Sequence, residues 1–380
     1  MLTLFWVMSF LLASCITPFE PDIESSEVNK YVVSGLVSDK NEIQTISVSM
    51  ASPVSDPRYI PVSDCNVLIK NNIGNEFLMT ESAPGLYRGV ISRNYLAPGN
   101  LFKVEIMTPD GIRIESDFDR MEECPDVDSV YFLRRDIISN VSDDVTNGIQ
   151  FYLNLNSSNS TTRYFRWEVT ETWEYHVPYP REWYYDGSIH HIFPPDYSRK
   201  ICWATETIKN IYTLSTLNLV ENKYEKLPLN FIDNKTSRLV YGYSMLVEQF
   251  SLNEASYAYW DQLRINSGEQ GGLYEKQPLS IVGNMHNITD PKQAVLGFFG
   301  ASSIKSKRIF VRNVKNLNLE FLPICSPSVL RKGLIEISIE DFPAFLYATE
   351  DGYAEILLSN ECVDCLTLGG TNVKPEFWPY

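Results

Sequence analysis

Few residues of this sequence have the type and spacing for chemistry. Cys362-Val-Asp-Cys365 is a close pair of thiols, a spacing that suits half a zinc site, a redox dithiol or the ends of disulfides. Zinc needs two further ligands, and the chain has no second C-x-x-C and no H-x-x-x-H. A redox pair belongs at a helix start after a strand, whereas this one leads into Gly369-Gly370. Structural disulfides are therefore expected among Cys65, Cys124, Cys202, Cys325, Cys362 and Cys365. Six cysteines allow 15 pairings, so connectivity stays open.

Glu171 is the second candidate. In Tyr164 to Tyr175 (YFRWEVTETWEY), period two places Phe165, Trp167, Val169, Glu171, Trp173 and Tyr175 on one strand face. An acid on that face needs a partner such as an arginine, or its pKa rises. Half of a structural ion pair is expected, with a ligand or catalytic acid as the alternative. Glu168 points to the opposite face, so the two acids cannot flank one sugar bond. No G-x-S-x-G, H-E-x-x-H or phosphate loop occurs, and Gly300-Ala-Ser-Ser-Ile304 lacks the second glycine of a nucleophile elbow. No catalytic residue, metal or cofactor is assigned, and the protein is read as non-enzymatic.

The third candidate is the proline-rich stretch between Tyr175 and Cys202, read as a long loop. It carries Tyr179, Trp183, Tyr184, Tyr185, Phe193 and Tyr197 with His176, His190 and His191. Aromatic rings give large contact area for few rotors, so Tyr179, Trp183, Tyr184, Tyr185, His190, His191, Phe193 and Tyr197 form the candidate ligand- or partner-binding set. A lid folded onto its own core is the competing reading and the slightly favoured one.

Residues 1–15, MLTLFWVMSFLLASC, are an apolar run too short to cross a bilayer of about 20 residues. Leu12-Ala13-Ser14-Cys15 fits a lipobox, which predicts a signal peptide over 1–14, lipidation of Cys15 and membrane attachment through that lipid. The acidic, proline-bearing 15–29 reads as a tether. A net charge of -16 without a Lys/Arg cluster argues against nucleic acid as a partner.

These residues need a scaffold, and the sequence predicts a mainly β one. With 22 Tyr, 19 Phe and 7 Trp the chain favours half-buried sheet faces. Short alternating runs over 30–120, including the Pro109-Asp110-Gly111 turn, predict an immunoglobulin-like or transthyretin-like sandwich. Met121 to Ser129 is the expected boundary, and 121–380 a larger β-rich domain with one amphipathic helix at about 251–267. Ser251 and Glu254 form a capping box, Leu252, Ala255, Tyr259, Trp260 and Leu263 an apolar stripe, and Ser267-Gly268 the stop. Gly271-Gly272 and Gly283-Asn284 read as turns. Strands are expected near Arg308 to Val311, Gly333 to Ile339 and Tyr353 to Leu358, and the aromatic C-terminus is expected to dock.

The stretches Tyr164 to Tyr175, Tyr259-Trp260, Gln277-Pro278 to Asn284, Val295 to Ser302 (VLGFFGAS) and Cys362 to Trp378 together resemble the Bacteroidota lipoproteins grouped as domain of unknown function DUF4249. The resemblance implies an outer-membrane lipoprotein, facing the cell surface and encoded beside TonB-dependent transporters. A binding or accessory subunit of such an uptake system is then the expected function, with the barrel as partner and a small nutrient, peptide or glycan as cargo. A structural or envelope-assembly lipoprotein and a surface hydrolase are the alternatives.

Overall fold

The structure is a computed structural model that describes residues 30–53, 56–138, 145–268, 281–348 and 354–380. The expected signal peptide, Cys15, the 15–29 tether, Gly271-Gly272 and Gln277-Pro278 lie outside the described residues.

The first unit contains β1 (Tyr31–Ser38), β2 (Ile43–Met50), β3 (Ile60–Pro61), β4 (Asn66–Asn71), β5 (Glu76–Ala83), β6 (Leu86–Val90), β7 (Leu101–Met107), β8 (Arg113–Ser116) and β9 (Asp119–Arg120). Its alternating sequence buries every second residue: Val33, Ile46, Val48, Val67, Ile69, Phe102 and Val104 share one core. Gly111 takes φ +84° in the turn between β7 and β8, as Pro109-Asp110-Gly111 predicts.

The second unit follows with β10 (Ser129–Ile138), β11 (Val145–Asn156) and β12 (Tyr164–His176), leaves it for β13 (Arg181–Tyr185) and β14 (Ile189–Asp196), and resumes with β15 (Ile201–Thr207), β16 (Tyr212–Ser215), β17 (Lys223–Asp233) and β18 (Gly242–Leu252). One sheet has the order β10-β11-β17; the other is centred on β12 and β18, which are antiparallel with Trp167 opposite Gln249. Ile149, Phe151 and Leu153 of the first sheet pack in one core with Phe165, Trp167, Val169, Met245 and Val247 of the second. Burying each such side chain stabilises the fold by roughly 1.5–3 kcal/mol.

Helix α1 (Glu254–Gly268) comes next. Asn253, rather than Ser251, caps it: the Asn253 carboxamide oxygen accepts the Ser256 N–H at 2.8 Å. Ser251 and Leu252 are still paired to β12, so the strand, not the helix, uses their backbone groups. Ala255 is exposed and Ser256 buried, which shifts the inward face of the first turn by one residue from the expected stripe. Tyr259 stacks on Phe298 at 4.7 Å, and Trp260 covers the buried Arg166 at 4.0 Å.

After α1 the chain returns to the first unit. Strands β19 (Met285–Asn287) and β20 (Leu296–Ser302) pair with β8 and, in parallel, with β1, from Val32 opposite Leu296 to Ser38 opposite Ser302. A parallel pair needs a crossover, and here every strand of the second unit before β21 is part of it. Gly297 (φ +98°) lies so close to β1 that a Cβ would meet the Val33 carbonyl oxygen at 1.9 Å. Strand β21 (Ile304–Val311) then joins β18, so β20 and β21 are consecutive strands in different units. A division at residue 120 thus separates β1 from a strand beside it. Period-two patterning shows which face of a strand is buried, not which sheet receives it.

Asp119 fastens this junction. Its buried carboxylate accepts hydrogen bonds from the Ala301 N–H at 2.6 Å, the Ser256 hydroxyl at 2.9 Å and the Asn253 amide. Burial nevertheless pushes its pKa up to about 6.

The third unit is a sheet of order β14-β13-β23-β24-β22, completed by β22 (Ser328–Val329), β23 (Ala344–Ala348) and β24 (Ala354–Leu358), and followed by the short helix α2 (Asn360–Val363). The strand expected from Gly333 to Ile339 is instead two short 3-10 turns, Gly333–Glu336 and Ile339–Asp341. Leu334 and Ile337 face the sheet three residues apart, the 3-10 repeat, while Ile335 and Ile339 are exposed.

Candidate functional site at the junction of the second and third units

Glu171 is 3% exposed, and both its oxygens are used. It accepts from Arg238 Nε at 2.8 Å and from the Tyr243 hydroxyl at 3.1 Å. Arg238 reaches Glu206 at 3.1 Å and lies over Trp173 at 4.2 Å. Burial and the Glu171 carboxylate together raise the Tyr243 phenol well above its ordinary value. An acid on the apolar face thus has the arginine that its burial requires.

Trp173 and Tyr175 carry the same face to the end of β12. The Tyr175 hydroxyl donates to the Cys365 carbonyl at 2.7 Å and accepts the Gly370 N–H at 3.1 Å. A Cβ on Gly370 would sit 2.3 Å from that hydroxyl, so the second glycine of Gly369-Gly370 permits the approach. On the opposite face, His176 Nε2 lies 2.7 Å from Glu174 Oε1 and its ring stacks on Tyr241 at 3.5 Å. The other Glu174 oxygen accepts Trp378 Nε1–H at 3.1 Å. The C-terminal segment is docked there, with Arg308 over Phe377 at 3.6 Å and Arg312 over Tyr380 at 4.7 Å.

The stretch after β12, read from sequence as a loop, is largely the hairpin β13–β14. Asp186-Gly187-Ser188 makes its turn, with Gly187 at φ +107°. That Asp-Gly pair between aromatic runs is the turn signal that the loop reading passed over. Trp183 sits between His191 and Leu346 in register, and Tyr184 between His190 and Phe345. Trp183 stacks on His191 at 3.9 Å and Tyr184 on His190 at 4.6 Å. Trp183 and Tyr185 pack against Ala344 and Leu346, whereas Tyr179 packs with Cys325, Cys362 and Val363. The candidate rings therefore divide: some belong to the third unit's two small cores, while Phe193 (83% exposed) and Tyr197 (59%) project from them.

Cys362 and Cys365 are not partners. Cys365 is bonded to Cys202 beside β12, with Cα atoms 5.7 Å apart, and Cys362 to Cys325, at 4.8 Å. Cys65 and Cys124, expected among the disulfides, carry free thiols. They lie in different surroundings: Cys65 reaches the Val62 carbonyl at 3.7 Å, and Cys124 that of Gln249 at 3.2 Å. Burial raises both thiols above their ordinary value.

Between the two bonded cysteines stands Asp364, which sequence reasoning passed over. Its carboxylate accepts from Arg181 at the start of β13, from Arg199 just before β15 at 2.8 Å, and from the Leu366 N–H at 3.0 Å. Its only advance sign was an acid inside a C-x-x-C. Where this junction meets the end of β12, a cavity of about 180 Å³ opens, walled by Trp173, Tyr175, Ala204, Phe321 and Pro323. Among the described residues no three His, Cys, Asp or Glu side chains converge as a metal set.

A comparison with curated proteins finds no match. The family model described as Domain of unknown function (DUF4249) matches residues 16–308, from before β1 into β21, taking in the first unit, most of the second, the hairpin β13–β14 and α1. The chain belongs to that family.

Proposed function

We propose that the protein is a lipid-anchored outer-membrane lipoprotein, facing the cell surface, that serves as a binding or accessory subunit of a TonB-dependent nutrient uptake system. The observation that carries the reading is the hairpin β13–β14. It holds Phe193 on β14, and Tyr197 just after it, exposed at the edge of the five-stranded sheet of the third unit, whose other rings anchor it in place. Solvent-exposed aromatic rings on a fixed edge suit contact with a partner protein or cargo. The lipobox at Leu12 to Cys15 supports anchoring, and the partner is a transporter barrel with a small nutrient, peptide or glycan as cargo. The test is affinity purification of the tagged lipoprotein from detergent-solubilised outer membranes. Co-purification of a barrel is expected, and repeated recovery without one sinks the reading.

A second reading, a structural or envelope-assembly lipoprotein without small ligand, is favoured by the packing of Trp183 and Tyr185 into the third unit's core. Under it, removing Phe193 and Tyr197 leaves uptake unchanged. A surface hydrolase is weaker still, because Glu171, the acid it would use, is held by Arg238 and Tyr243.

A further inference from the structure

We propose that the cavity at the end of β12 binds a small ligand with an apolar, ring-sized body and a positively charged amine. The cavity lies where the apolar face of β12 runs out under the segment that carries Phe321 and Pro323. Trp173, Tyr175, Phe321 and Pro323 give it flat apolar walls, and Ala204 leaves room between them. About 180 Å³ is the space of one aromatic ring with a short arm, since an apolar cavity of roughly 150 Å³ holds benzene. Ile324, also on its wall, is 64% exposed, so the space opens to solvent on that side.

Charge decides the rest. Glu361 is the one lining residue with a formal charge. Its carboxylate is held below the usual carboxylate range by a backbone hydrogen bond and Ser359, so it is ionised at neutral pH. No salt-bridge partner of Glu361 is found among the described residues. The nearby cations are occupied: Arg238 by Glu171 and Glu206, Arg181 and Arg199 by Asp364. His176 lines the cavity too, but its Nε2 faces Glu174. An incoming ammonium therefore meets an unmatched carboxylate and aromatic faces that attract cations. An incoming carboxylate meets repulsion in a chain of net charge -16. The inference stands independently of the transporter reading.

The test uses the full chain in lipid nanodiscs, with empty nanodiscs subtracting partition into lipid, and follows 2-phenylethylamine, toluene and 3-phenylpropionate by calorimetry and tryptophan fluorescence. The amine is expected to bind at least tenfold more tightly than the carboxylate. Glu361→Gln, at a residue whose loss leaves the core intact, should weaken the amine about tenfold and leave toluene unchanged. Ala204→Phe fills the space and should abolish binding of all three. Absence of binding by the amine, equal or tighter binding of 3-phenylpropionate, or an amine affinity unmoved by Glu361→Gln overturns the proposal.

Discussion

Asp364 and Arg199 meet at 2.8 Å, and Arg181 closes on the same carboxylate oxygen from the hairpin strand. One acid thus ties the start of β13 to the approach of β15, while the cysteines on either side of it tie α2 to Cys325 and the following turn to Cys202. The segment from Cys362 to Cys365 is the fastener between the second and third units.

Asp364→Asn leaves two guanidinium groups facing a neutral amide, one of them largely buried. Breaking a wholly buried pair costs about 3–5 kcal/mol. With Arg199 partly exposed, a loss of ~2 kcal/mol is expected. Urea unfolding followed by fluorescence measures it, and an unchanged midpoint contradicts the fastener role.

Peptide mapping of the non-reduced protein should return Cys202–Cys365 and Cys325–Cys362, with the buried Cys124 alkylated only after denaturation and the partly exposed Cys65 more readily. The Cys202–Cys365 bridge closes 163 residues. Loop entropy of that length puts the cost of Cys202→Ser with Cys365→Ser at up to ~5 kcal/mol, with 2–4 kcal/mol typical. Recovery of a Cys362–Cys365 peptide contradicts the assignment.

Asp119 gives the junction of the first two units a pH dependence. Its folded pKa of about 6 lies above the 3.8 of a free aspartate. The folded state therefore holds the proton more tightly, and this contribution is complete below pH 3.8 and lost as pH rises through about 6. It amounts to at most ~3 kcal/mol. The stability difference between the wild type and Asp119→Asn should shift in favour of the variant by up to that amount between pH 4 and pH 7. A difference that stays flat across this range argues against a raised carboxylate.

Two aromatic substitutions on one hairpin should behave differently. Trp183→Ala removes a ring from the third unit's core and should cost ~2 kcal/mol, below the 3–5 kcal/mol of a fully buried ring because the site is partly exposed. Phe193→Ala should change stability by less than ~0.5 kcal/mol and lower partner recovery instead. Equal destabilisation by both would place Phe193 in the structure rather than the interface.

Mainly β architecture, the alternation in β12, the turn at Gly111 and the existence of α1 were all legible, because each is written in local periodicity or turn chemistry. So was the need of Glu171 for a cation, since burial of a charge demands one; that the cation is Arg238, 67 residues away, was not. The same limit explains the hairpin. Asp186-Gly187 is a local turn signal inside a stretch read as a loop, but β13 becomes part of a larger sheet because β23, more than 150 residues on, lies beside it.

The sequence by itself determined the mainly β class, the inward face of β12, the turn at Gly111, the existence of α1 and the family. Tertiary structure alone decided which sheet each strand joined, which four cysteines met, that β20 returned to β1 and that a cavity stayed open beside Glu361. Local patterns are fixed by neighbours a few residues apart through period and φ/ψ preference. Partners across a sheet or a disulfide are fixed by distance in space, which no short stretch of chain encodes.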